Sequence, residues 1–80
     1  MRMAVLFVQI KTEIGKAYEV ADAIADAEIA SEIYSTAGDF DLLVKFYVPP
    51  EEDPGRFVTG VVQRVGNIRD TRTIVTFKAF

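Results

Sequence analysis

Eighty residues carry a formal net charge of −3 and contain neither cysteine nor histidine. Without thiols there is no disulfide framework and no thiolate zinc site; without imidazole the commonest transition-metal ligand and neutral-pH general base are missing. The acidic balance opposes nucleic-acid binding by this chain alone, because phosphate contacts need a basic face.

The first ten residues, "MRMAVLFVQI", fall short of the ~20 apolar residues of a membrane span. No small-residue cleavage site follows them, so they do not read as a secretion signal either. The chain is expected to be cytoplasmic, with no membrane partner. "MAVLFVQIK" (residues 3–11) reads as a strand apolar on both faces: Ala4, Leu6, Val8 and Ile10 line one side, Met3, Val5 and Phe7 the other. A strand buried on both sides belongs in the middle of a sheet. After Gly15, "KAYEVADAIADAE" places Ala17, Val20, Ala21, Ile24 and Ala27 at helical spacing, with Glu19, Asp22 and Asp26 outside.

"IASEIYSTA" (residues 29–37) is a second strand, rich in β-branched and aromatic residues. Gly38-Asp39 reads as a hairpin turn into "FDLLVKFYV" (residues 40–48). Alternation gives Phe40, Leu42, Val44, Phe46 and Val48 one face of this third strand, and Asp41, Leu43, Lys45 and Tyr47 the other. Pro49 and Pro50 end it, since proline cannot donate to a ladder. In the second helix Asp53 is the expected N-cap, Pro54 the first helical residue and Gly66 the C-terminal cap. Phe57, Val58, Val61, Val62 and Val65 form its buried stripe. "DTRTIVTFKAF", from Asp70, closes the chain as a strand.

The order strand, helix, strand, strand, helix, strand is that of an α+β ferredoxin-like fold, βαββαβ, with a four-stranded antiparallel sheet and two helices on one face. The whole chain, residues 1–80, reads as one domain. So small a domain buries only about 60–65% of the surface its unfolded chain exposes, and usually recruits disulfides, metals or a partner subunit. Here the partner remains. Half the residues are hydrophobic and mean hydropathy is +0.18, more apolar surface than one tiny core hides. The uncovered sheet face is therefore expected to meet a second copy.

The catalytic inventory is poor. No triad can form without a base, and the five glycines stand apart, without a phosphate-cradling motif. Asp39 and Asp41, at the turn and the strand entry, are not a paired general acid and base, and no calcium-loop spacing accompanies them. No catalytic residue, metal or cofactor is expected. Most conspicuous residues have plain readings: Gly38 and Asp39 as turn residues, Gly66-Asn67 as a helix cap, Thr71 and Thr73 as strand formers, and Arg64, Arg69 and Arg72 as solvated surface. Asp41 stands out. It lies one residue inside an apolar strand and, with Phe40 facing the helices, should face the open side of the sheet beside Leu43, Lys45 and Tyr47. A carboxylate drawn into an interface there needs a donor.

With these residues placed, the sequence resembles the ligand-binding module, often called RAM, of the Lrp/AsnC family of amino-acid-responsive transcription regulators. The resemblance rests on "FVQIKTEIGKAYEVADAI", "IYSTAGDFDLLVKF" and "RVGNIRDTRTIVTFK". The family hairpin typically reads Thr-Gly-acid-aromatic-Asp; Gly38, Asp39, Phe40 and Asp41 match it, with Ala37 inserted after Thr36 or replacing the usual Thr. Thr71 and Thr73 match a Thr-x-Thr that opens the last strand, whereas Gly66, Asn67 and Ile68 depart from the usual Gly-Val. Family regulators carry an N-terminal helix-turn-helix domain. Here the first strand begins at Met3, so a stand-alone module without direct DNA binding is expected.

The resemblance implies homodimers through the sheet faces and dimers assembled into rings. It also implies an amino-acid ligand at the dimer–dimer interface, near the hairpin. The candidate contacts are Thr36, Ala37, Gly38, Asp39, Phe40, Asp41, Thr71 and Thr73. Asp39 and Asp41 would answer a ligand ammonium, and backbone N–H groups at Gly38 a ligand carboxylate. A full-length regulator of the family is a further candidate partner. Two other readings stay open: an oligomerisation domain with no ligand, and a small dimeric α+β barrel enzyme. The second lacks the His, Cys or Trp that such cavities usually employ.

Overall fold

Alternation in the first strand sorts its side chains onto two unlike surfaces. In the computed structural model of the protein, which describes residues 3–80, β1 spans Ala4–Thr12. Leu6, Val8, Ile10 and Thr12 are buried, and Val5, Phe7, Gln9 and Lys11 between them are half-buried. The remaining elements are α1 (Ala17–Asp26), β2 (Ala30–Ser35), β3 (Leu42–Val48), α2 (Pro54–Val65) and β4 (Ile68–Val75). The strand order is β2-β3-β1-β4, and each adjacent pair is antiparallel. This is the ferredoxin-like arrangement, and it puts the most apolar strands, β1 and β3, at the centre.

One face carries the core. Leu6, Val8 and Ile10 of β1 and Leu42, Val44, Phe46 and Val48 of β3 meet Val20 and Ile24 of α1 and Val58 and Val61 of α2. Phe57 adds an edge-to-face contact with Phe46, ring centroids 5.2 Å apart at 72°. The cap of α2 is as expected: the Asp53 carboxylate accepts from the Arg56 N–H at 2.9 Å. At the other end Gly66 takes φ +74°, ψ 174°, a region open essentially to glycine. By contrast α1 starts at Lys16 with no side-chain cap. At the far end of the sheet Thr76 ties the last strand to the first, its N–H and hydroxyl both donating to the Val5 carbonyl, at 3.2 and 2.8 Å.

The hairpin is wider than the expected Gly38-Asp39 turn. Thr36 donates its N–H to the Asp41 carbonyl and its hydroxyl to the Phe40 carbonyl, both at 2.9 Å. Residues 36–41 thus close into a loop, with Gly38 at φ +108°, and β3 begins at Leu42 rather than Phe40. Phe40 therefore does not continue the helix-facing row as alternation suggested; it lies on the open side with Gln9, Leu43 and Arg72. The final strand likewise starts at Ile68, ahead of Asp70. A register shift between Lys11 and Thr12 lets Ile68 pair with Thr12.

The face without helices is defined by the cross-strand pairs Val5–Tyr47, Phe7–Lys45, Gln9–Leu43, Phe7–Ile74 and Tyr34–Leu43. It is largely apolar. Lys45 crosses it, pairing with Glu32 at 3.2 Å and lying 5.3 Å from the Tyr47 ring centroid and 6.0 Å from that of Phe7. The Tyr34 hydroxyl donates to the same Glu32 carboxylate.

Candidate ligand site at the hairpin

Loop 36–41 is bound to the end of β1 at three points. The Asp41 N–H donates to the Ile10 carbonyl at 2.9 Å, and Lys11 Nζ donates to the Asp39 carbonyl at 3.0 Å. The Asp41 carboxylate completes the set: its Oδ2 accepts from the Thr12 N–H at 2.8 Å and the Thr12 hydroxyl at 3.1 Å. The Thr12 N–H, helped by that hydroxyl and the nearby Lys11 charge, holds the Asp41 carboxyl below its ordinary value, while partial burial pushes it up. The donor that Asp41 requires thus comes from its own chain.

Between the loop and the open face lies a concavity of about 290 Å³. Thr36, Ala37, Asp39 and Phe40 form its loop wall, and Gln9, Leu43 and Arg72 its sheet floor. The Arg72 guanidinium carbon sits 5.3 Å from the centroid of the Phe40 ring. The wall holds a carboxylate residue and the floor a cationic one, beside an amide, a hydroxyl and three apolar side chains. Such a mixture suits a small polar molecule bearing both charges.

The sequence-based candidates divide on this geometry. Thr36, Ala37, Asp39 and Phe40 line the concavity. Gly38 belongs to the same loop and gives it a conformation that L side chains rarely adopt. Asp41 is not aimed at the open face beside Leu43, Lys45 and Tyr47; it bonds to Thr12 at the sheet end. Thr71 and Thr73 pair with Ile10 and Val8, so they lie on the helix-bearing side. Thr71 borders a smaller depression there with Val62 and Ile68.

Gln9, Leu43 and Arg72 did not emerge as site residues from sequence. Gln9 left a trace, as a polar residue in an apolar strand, and Leu43 was assigned to the correct face. Arg72 reads from sequence as solvated surface, with Arg64 and Arg69. Only the pairing of β1 with both β3 and β4 brings it opposite Gln9. Among the described residues, no cluster of three or more His, Cys, Asp or Glu side chains is placed to hold a metal ion. No helix there is long and apolar enough to cross a membrane.

Fold and concavity together define a ferredoxin-like α+β module with a small mixed-polarity cleft beside its hairpin. The chain belongs to the Lrp/AsnC ligand binding domain family, whose model matches residues 5–80. Over 72 residues it is 32% identical to the HTH-type transcriptional regulator FL11 of Pyrococcus abyssi (strain GE5 / Orsay), covering 90% of this chain and 47% of that protein. The chain therefore spans about half the length of the curated relatives it matches. The crystal structure of FFRP-DM1 is similar with a TM-score of 0.84 at 27% identity, covering 94% of this chain and 100% of that one. PHS023 from Pyrococcus horikoshii matches with a TM-score of 0.82 at 26% identity, covering 96% of this chain and 93% of that one. Escherichia coli AsnC, 19% identical, shares the fold with a TM-score of 0.71 over 95% of this chain and 52% of that one.

Proposed function

We propose that this chain is an effector-binding and oligomerisation module that takes a small amino acid in the hairpin concavity and, through its assembly, modulates regulators of its family. One observation carries the reading: Asp39 and Arg72, of opposite charge, line the same small concavity. A free amino acid presents opposite charges on one carbon, so a concavity lined by both signs can answer each. The loop supplies polar groups and Leu43 an apolar surface, the usual combination in small-molecule sites. With a net charge of −3, the module itself is read as having no affinity for duplex DNA. A cytoplasmic location goes with this reading.

In the proposed assembly the open sheet face pairs with a second copy, and dimers associate further near the hairpin. Thr71 and Thr73 lie on the opposite side of the sheet from the concavity, so they would reach a ligand only across a subunit contact. A ligand-free oligomerisation domain is the second reading. It is favoured by one specific observation: the Asp41 carboxylate is already satisfied by Thr12.

A thermal-shift screen of the twenty amino acids separates the two. A ligand at a hundred times its dissociation constant stabilises the folded state by about 2.7 kcal/mol, which moves the midpoint of a domain this small by on the order of ten degrees. A shift with one amino acid or a related group is expected; none with any of them would leave the ligand-free reading.

A further inference from the structure

We propose that Arg72 is the carboxylate receptor of the hairpin concavity and that Phe40 presents it, so that the site selects its ligand by a free carboxylate. The proposal rests on the concavity being a ligand site, and deepens that reading by naming the group recognised and the residue that recognises it.

The cations near the loop are unequally engaged. Lys11 Nζ is bonded to the Asp39 carbonyl, and Lys45 is paired with Glu32. Arg72 lines the concavity, and among the described residues no carboxylate forms an ion pair with it. Asp39 lines the same concavity yet makes no such pair, and Asp41 is turned to Thr12. The guanidinium is instead held by Phe40, 5.3 Å from the ring centroid.

That contact leaves the recognition chemistry free. An aromatic ring attracts a cation over its face, whereas guanidinium N–H donors lie in the guanidinium plane and take a carboxylate bidentately along its edge. A contact over the ring face restricts the arginine while its N–H groups remain without a carboxylate partner, and less rotamer freedom is lost when a carboxylate arrives. Because Phe40 belongs to loop 36–41 and Arg72 to β4, the receptor joins the two walls of the concavity.

The test compares each of the twenty amino acids with its α-carboxamide, which keeps the ammonium and side chain and removes the anion. Wild type, Arg72→Gln, Arg72→Lys and Phe40→Leu are titrated calorimetrically with both forms, and hairpin amide NMR shifts report where binding occurs. The best amino acid is expected to bind wild type about ten- to a hundredfold more tightly than its carboxamide, the worth of a charge-assisted contact. Arg72→Gln should erase that preference, the loss falling mainly on the amino acid rather than on its carboxamide. Arg72→Lys should keep part of it, since the charge remains and the fork is lost. Phe40→Leu should shrink it with the fold intact by circular dichroism. A preference of wild-type size in Arg72→Gln, with the hairpin amides still shifting, would overturn the role of Arg72 and leave the ligand site standing. No binding of any amino acid to wild type, or binding that leaves the hairpin amides unmoved, would overturn the ligand-site reading and this proposal with it.

Discussion

Asp41 shows what one carboxylate does when its own chain answers it. Its Oδ2 holds the Thr12 N–H and hydroxyl, so the residue clamps the hairpin to the end of β1 in the isolated subunit. The carboxyl sits below its ordinary value, chiefly through the Thr12 N–H. A carboxyl lowered in the folded state adds stability above its unfolded value, near 3.9, and that stability is lost as pH falls through the folded value. Asp41→Asn is therefore expected to be less stable than wild type at neutral pH, and the gap should close as pH drops below about 4. Urea midpoints across this range measure it. A gap that stays constant with pH would mean that the charge plays no part. The need for a donor was readable in sequence, because a carboxylate beside an apolar strand is costly alone. The donor's identity was not, since Thr12 lies 29 positions away in the chain and meets Asp41 only where the pairing of β1 with β3 ends.

At the scale of elements, α2 and the hairpin mark the two limits of legibility. Local rules specify α2: Asp53 caps it, Pro54 opens it and Gly66 ends it. Replacing Asp53 by Ala should cost about 1 kcal/mol, lowering the melting midpoint by roughly 4–8 °C without altering the sheet. A change well under a degree would show that the cap contributes nothing. The central place of β1 was equally plain, because a two-sided apolar pattern has one placement in a sheet. The hairpin was not. Alternation holds only while the backbone stays extended, and the Thr36 bonds to Phe40 and Asp41 break it before β3 begins. Phe40 and Asp41 consequently exchange the surroundings that parity gave them. The site's floor was hidden for another reason: Gln9, Leu43 and Arg72 sit on three strands and meet only through pairing.

For the whole molecule the open sheet face decides behaviour. Tyr34 is 52% exposed, Tyr47 45% and Ile74 46% in the single chain, and Val5 and Phe7 lie among them. Exposed aromatic and aliphatic side chains grouped on one face suit an interaction site, which the proposed assembly gives to a second copy. Wild type should be at least a dimer at micromolar concentration by light scattering. Val5→Glu, opposite Tyr47 on that face, should yield a folded monomer, because an unpaired carboxylate is costly at an apolar interface while the helix-side core is untouched. A monomeric wild type, or a Val5→Glu variant that assembles normally, would remove the face from the interface.

The bonds from Thr76 to Val5 bear on how the protein can be labelled. They bring the start of β1 beside the end of β4, so the outermost strand ends depart from the sheet together, away from the hairpin. The floor of the concavity begins at Gln9, and the stretch of β1 from Val5 to Gln9 covers about 13 Å at ordinary strand rise. A fluorophore coupled near Thr76 stands off from the concavity by that distance. Energy transfer between two such labels reports which copies have associated, whereas a dye at Ala37 stands in the loop wall and senses what the concavity holds.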